Sequence, residues 1–227
     1  MPTLPEVLAK LSFFTTTPAI VGLVITASLI VVIRDWRLSL AALSAQYVLA
    51  GLLLTRLIQP QVALTKVLIG ALVCVVLYLT ARLVSTGKEE PTAEQEAAED
   101  GDTPVRTIGG GTPLADFSFR LLAALFLGLA VRSLSTRYPL PEVPSGIGFA
   151  CYWLASLGLL VLMLTDEPLK AGMGLLTLIT GFELFYSALE HSLSVVGFLG
   201  IANFLIALAI AHIAAASRAE VTAKERG

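Results

Sequence analysis

Apolar residues fill most of the chain in runs of about 20, the length that a helix needs to cross ~30 Å of hydrocarbon. Short polar stretches separate these runs. In lipid the backbone must satisfy its own hydrogen bonds, which favours helices. The pattern therefore predicts an all-α, polytopic membrane protein with about seven transmembrane helices. The predicted spans are Pro18–Ile33, Leu38–Ile58, Val62–Val84, Phe117–Thr136, Gly146–Thr165, Leu169–Leu189 and Ser192–Ala216.

One long polar stretch, residues 85–116, divides the predicted helices into two groups. It is rich in Glu and Asp and contains Gly109-Gly110-Gly111. Because it can bury little apolar surface, we expect a flexible cytoplasmic connector. The predicted organisation is a three-helix membrane segment (1–84), the acidic linker (85–116), a four-helix membrane segment (117–216, with its last three helices in 146–216) and a polar cytoplasmic tail (217–227).

Composition narrows the classes of function. The 227 residues are 56% hydrophobic and 14% charged, whereas a soluble domain has about 25% charged residues. No soluble portion has the size of an enzyme. The sequence contains no phosphate-binding glycine loop, metal-ligand cluster, nucleophile elbow or axial histidine pair for haem. Cys74 and Cys151 both fall in apolar runs. We expect no catalytic site of its own, no cofactor, no metal and no nucleic-acid partner, and lipid as the surroundings.

Basic residues predict the orientation, because cytoplasmic loops carry an excess of Lys and Arg. With the N-terminus outside, ten basic residues fall on the inner side and four on the outer side, and Lys66 lies within a span. The asymmetry remains when the long linker is discounted. We therefore expect a multi-pass protein of the inner (cytoplasmic) membrane, with the N-terminus outside and the C-terminus in the cytoplasm.

Glu183 is the most informative polar residue, because a carboxylate at membrane depth is expensive and rare without a partner or a function. Thr180, Glu183, Ser187 and Glu190 follow steps of three, four and three, so they share one face of the sixth predicted helix. Tyr186 lies close to this stripe. The stripe predicts a protein-facing or hydrated surface. It is compatible with a structural hydrogen-bond network and with a proton path.

Two other spans supply candidate partners for this carboxylate. Lys66 lies about one turn inside the third span, where it can either pair with Glu183 or extend to the membrane interface. Asn203 lies near the middle of the seventh span, where an amide can hydrogen-bond across helices or line a hydrated path. Burial disfavours the charged form of Glu183, whereas a nearby cation favours it. Gln46 and Tyr47, in the second span, are expected to be structural.

The last three predicted helices resemble the K subunit of bacterial complex I, called chain 4L in organelles. That subunit has a short polar inner loop, an apolar run and then Gly-(Leu/Phe)-Glu. The chain as a whole is similar to component E of hydrogenase-4 and related formate hydrogenlyase complexes. The matching stretches are Asp166-Glu167-Pro168-Leu169-Lys170, Gly181-Phe182-Glu183, Arg37-Leu38-Ser39, Thr65-Lys66-Val67-Leu68 and Tyr78-Leu79-Thr80-Ala81-Arg82.

The resemblance implies a non-catalytic membrane subunit of a redox-driven, ion-translocating complex, with antiporter-like membrane subunits as partners. Glu183 then matches the first intramembrane glutamate of the K subunit, and Asn203 stands where its second glutamate is expected. An amide does not titrate, so a proton path must depend on Glu183, water and Lys66, with Glu190 and Tyr186 as further candidates. Two alternatives stay open: a subunit of a multisubunit cation/proton antiporter, and a stand-alone small transporter or assembly protein.

Overall fold

A computed structural model of the protein describes residues 4–33, 35–55, 60–86, 113–140, 143–189 and 193–225. The all-α prediction is confirmed for this part of the chain. It forms seven helices, which are α1 (Leu4–Val32), α2 (Trp36–Leu54), α3 (Pro60–Thr86), α4 (Pro113–Arg137), α5 (Ser145–Leu164), α6 (Pro168–Leu189) and α7 (Leu193–Glu225).

Six of these helices, α2 to α7, have a stretch long and apolar enough to cross a membrane. In α1, the apolar stretch Thr17–Val32 is shorter than the others. The fold is therefore that of a multi-pass membrane protein. Leucine and phenylalanine side chains are exposed in quantity on α3, α4 and α7, as expected for surfaces that lipid or neighbouring subunits cover.

Several helices extend beyond the predicted spans. Helix α1 begins at Leu4 and α7 continues to Glu225. Helices α3 and α4 include residues 85–86 and 113–116 of the predicted linker, and residues 87–112 lie outside the described part. Hydropathy marks the residues that suit hydrocarbon, whereas a helix ends where its backbone hydrogen bonding ends. A polar continuation of a span is therefore invisible to a hydropathy window.

Glycines allow α5 and α6 to pack with their backbones in contact. A Cβ atom on Gly158 would lie 2.5 Å from Leu178 N and 2.6 Å from Gly174 O. A Cβ atom on Gly181 would lie 2.9 Å from Ala155 N. Small residues at such interfaces allow close approach, which is the main source of helix association in lipid. This packing fixes the rotation of α6 and turns its polar face toward α2, α3 and α7.

Two basic side chains cap helix ends at the end of the bundle where α5 passes into α6. Lys170 is buried, and its ammonium donates to Ile33 O at the C-terminal end of α1, at 2.5 Å. The Arg120 guanidinium donates to Leu164 O at the end of α5, at 3.1 Å. Both cations meet carbonyl groups that lack helical donors and carry the negative end of the helix dipole. These contacts hold α1, α4, α5 and α6 together at this end, which we call the α5–α6 end.

Candidate functional site

A buried ion pair joins two helices that are far apart in the sequence. Lys66 of α3 pairs through its Nζ with Glu183 Oε2 of α6. Each residue is only 5% exposed. Lys66 therefore does not extend to the membrane interface, which was the alternative that its sequence position left open. The attraction between the two opposite charges offsets the free-energy cost of burying them, provided that their remaining polar atoms are also hydrogen-bonded.

Helices α2 and α7 complete the surroundings of the pair. Asn203 Nδ2 of α7 donates to Glu183 Oε1 at 3.4 Å. The Lys66 ammonium lies 5.4 Å from the centroid of the Tyr47 ring, in cation–π geometry. The Tyr47 hydroxyl lies beside the side chains of Thr180 and Asn203. The carboxylate thus has a cation on one oxygen and an amide donor on the other, and the cation rests on an aromatic face.

The pair lies closer to one end of the bundle than to the other. Lys66 is six residues after the start of α3 at Pro60, and Glu183 is six residues before the end of α6 at Leu189. At a rise of 1.5 Å per residue, each lies about 9 Å from that helix end. Glu183 is about 22 Å from the start of α6 at Pro168 by the same rise. The near end, where α6 ends and α7 begins at Leu193, is called here the α6–α7 end.

A small cavity lies against the pair. It measures about 10 Å³, close to the space that one water molecule needs. Its polar walls are Lys66, Glu183, Thr180 and Ser187, and apolar side chains from α2, α6 and α7 complete it. A carboxylate, an ammonium and two hydroxyls can together satisfy the three or so hydrogen bonds that a buried water makes.

One polar atom beside the ion pair has further hydrogen-bonding capacity. In the part of the chain that the structure describes, Asn203 Oδ1 is buried without a hydrogen-bond partner. Asn203 is 0% exposed. Buried amides in native proteins nearly always have a partner, and ordered water is the usual one where the protein supplies none. The centre of the bundle around the ion pair is therefore polar enough to hold water.

The structure places the sequence-predicted site residues in three groups. It brings Lys66, Glu183 and Asn203 together, and Thr180 and Ser187 line the same cavity as the ion pair. Tyr186 is half-buried, and its ring is tilted against that of Phe182, with the centroids 6.3 Å apart. Glu190 lies outside the described residues, so its place in the predicted proton path stays a prediction.

Sequence reasoning missed the part that Tyr47 plays, because Tyr47 was expected to be structural. Its position two turns before the end of α2 gave no indication that its ring would support Lys66. The signal that was present is the pair Gln46-Tyr47, two polar side chains in succession within an otherwise apolar run. Gly70, one turn after Lys66 on α3, is the second missed residue, because it provides the space for the Tyr47 ring.

The fold and the site together define a helical membrane protein whose core holds a lysine–glutamate ion pair with an amide and an aromatic ring. Comparison of the chain with known protein families, with curated proteins and with solved structures gives no match.

Gly70→Ala is expected to destabilise the protein by about 1–3 kcal/mol, the usual cost of overpacking a core. A Cβ atom on Gly70 would lie 2.6 to 2.7 Å from three atoms of Tyr47, which is buried and has no room to move away. The measurement is the midpoint of thermal unfolding of the purified protein or complex. Gly197→Ala on α7 is the matched control, because no atom lies within 4 Å of its added methyl group. Equal midpoints for the two variants would contradict the assigned packing.

Proposed function

We propose that the protein is a non-catalytic membrane subunit of a complex I-like or hydrogenase-4-like redox complex, in which Glu183 and Lys66 take part in proton translocation. The observation that carries the proposal is the buried ion pair on α3 and α6. Ionisable residues within membrane spans are rare, and where they occur they usually mark substrate, ion or proton pathways. The motif resemblance to component E and to the K subunit supports the same function.

The chemistry of the pair suits reversible proton exchange. Glu183 accepts a proton and becomes neutral, or releases it and regains its partner Lys66. The two states differ by one unit of charge in a site of low dielectric, where such a difference interacts strongly with nearby charges. Redox events in partner subunits can therefore bias the protonation of Glu183 through a change in local charge or structure. Asn203 donates a hydrogen bond that orients the carboxylate, and its neutral amide does not titrate.

The proposal also assigns an orientation and partners. With the N-terminus outside and the C-terminus in the cytoplasm, the α6–α7 end lies on the outer side of the inner membrane and the α5–α6 end lies on its cytoplasmic side. One ion pair cannot couple redox energy to transport alone, so antiporter-like membrane subunits complete the path. Such subunits have ample surface to bind, since α4 in particular is exposed along most of its apolar length.

Glu183→Gln is expected to abolish or strongly reduce proton translocation by the native complex, because the amide keeps the shape of the side chain and cannot titrate. The measurement is the number of protons translocated per electron in sealed membrane vesicles, after co-purification has shown that the complex assembles. Glu167→Gln is the matched control, since Glu167 is an exposed carboxylate at the α5–α6 end. An unchanged proton-to-electron ratio in Glu183→Gln would exclude the relay role.

A further inference from the structure

Apart from Thr180, the cavity beside the ion pair is lined mostly by residues on the side of the α6–α7 end. Ser187 follows Glu183 by one helical turn toward the α6–α7 end, and Leu54 is the last residue of α2 at that end. Val196 and Leu199 lie in the first two turns of α7. All four line the cavity, so it extends from the ion pair toward the α6–α7 end.

The distance from the cavity to that end of the bundle is short. From Glu183 to the end of α6 the distance is about 9 Å along the helix. The cavity walls in this direction are the side chains of Leu54, Val196 and Leu199, with Ser187 as the polar group among them.

The opposite direction is longer. Toward that end of α6, Leu176, Met173 and Thr177 are each at most 1% exposed. The Thr177 hydroxyl donates to Met173 O of its own helix, at 2.9 Å, so its proton is already engaged. From Glu183 to the start of α6 at the α5–α6 end the distance is about 22 Å.

We propose that the Glu183–Lys66 pair exchanges protons with the aqueous phase at the α6–α7 end of the bundle, through the cavity beside Ser187, and not with the α5–α6 end. A proton carried by water in the cavity passes to the Glu183 carboxylate, which becomes a neutral carboxylic acid while the water molecule stays behind. Release follows the same path in reverse. This proposal rests on the proposed function and specifies the side of the membrane that the site serves.

Site-directed labelling of cysteine tests this path in vesicles that contain the assembled complex. The background carries Cys74→Ala and Cys151→Ala, and the probe is Ag⁺, a thiolate-reactive cation of about the size of a water molecule, added from one side at a time. Because only a thiolate in contact with water reacts well, Ser187→Cys is expected to lose its free thiol from one side only. Leu199→Cys provides a second cavity position in case Ser187→Cys does not fold.

Marker and control variants make the outcome independent of the assigned orientation. Arg137→Cys and Glu167→Cys are exposed positions at the two opposite ends of the bundle, and they show which end faces which compartment. Phe198→Cys is the matched lipid-facing control, being 72% exposed and adjacent to Leu199. Thr177→Cys samples the opposite direction and is expected to stay unlabelled from both sides.

Labelling of the cavity positions from the same side as Arg137→Cys, with Phe198→Cys and Thr177→Cys unlabelled, supports the proposal. Labelling from the side of Glu167→Cys, labelling from neither side, or reaction of Thr177→Cys overturns it. Equal labelling of Phe198→Cys would also overturn it, because the probe would then be reporting the lipid surface. Labelling does not require proton translocation, so its failure is distinguishable from the failure of Glu183→Gln to affect transport.

Discussion

Lys66→Met is expected to destabilise the protein by about 3–5 kcal/mol, the usual cost of removing one partner of a buried ion pair. Methionine fills nearly the same volume as the lysine stem, so the loss comes from charge and not from packing. Glu183 would be left with Asn203 as its donor, in surroundings where an uncompensated charge is expensive. We expect Glu183 to take up a proton in this variant, which relieves part of the cost and abolishes its exchange function.

Two measurements separate these effects. The unfolding midpoint reports the loss of stability, and difference infrared spectroscopy reports a new protonated carboxylic acid, which Lys66→Met/Glu183→Gln would lack. The matched control for stability is Lys66→Met/Glu183→Met, in which both charges are replaced by apolar side chains of similar length. Replacement of a whole buried pair is often neutral or stabilising. The double variant should therefore recover most of the stability lost in Lys66→Met, and a double variant as unstable as the single one would contradict a direct pair.

The fold was predictable from the sequence to the extent that lipid determines it. Hydropathy alone located α2 to α7, because a helical span must be continuous and apolar over about 20 residues and satisfies its own backbone hydrogen bonds in hydrocarbon. The ends of α1 and α7 were not predictable in this way, since a helix ends where its backbone hydrogen bonding ends and not where its apolar residues end. The mutual arrangement of the helices was also hidden, because the contacts that determine it, such as Gly158 against Gly174, depend on shape and not on polarity.

The candidate site was predictable in its members more than in its geometry. The three members Glu183, Lys66 and Asn203 were identifiable because each is a polar residue in an apolar run. Polar side chains in membrane helices often hydrogen-bond to one another across helices. The sequence could not decide between pairing and interfacial extension for Lys66, because both satisfy the ammonium. The contact of the Tyr47 ring with Lys66 and the space that Gly70 leaves for the ring both depend on how α2 is rotated against α3. The residue pattern of one helix carries no information about this rotation.

Gly158→Ala is expected to destabilise the protein by about 3 kcal/mol, near the upper end of the range for overpacking. The added methyl group would lie 2.5 Å from Leu178 N, 2.6 Å from Gly174 O and 2.8 Å from Leu178 Cα. These are backbone atoms, so no side-chain rotation can accommodate the methyl group and the two helices must move apart. Helix propensity favours alanine over glycine by about 1 kcal/mol and offsets only part of this cost.

The effect should reach the ion pair, because α5 supports the side of α6 opposite to Glu183. Displacement of α6 alters the approach of Glu183 to Lys66 and to Asn203, so Gly158→Ala is expected to lower both the unfolding midpoint and proton translocation. Gly148→Ala is the matched control on the same helix, since the nearest atom to its methyl group is Leu140 Cδ1, at 3.5 Å. If the two variants were equally stable and equally active, close contact between α5 and α6 would not be what fixes the position of the carboxylate.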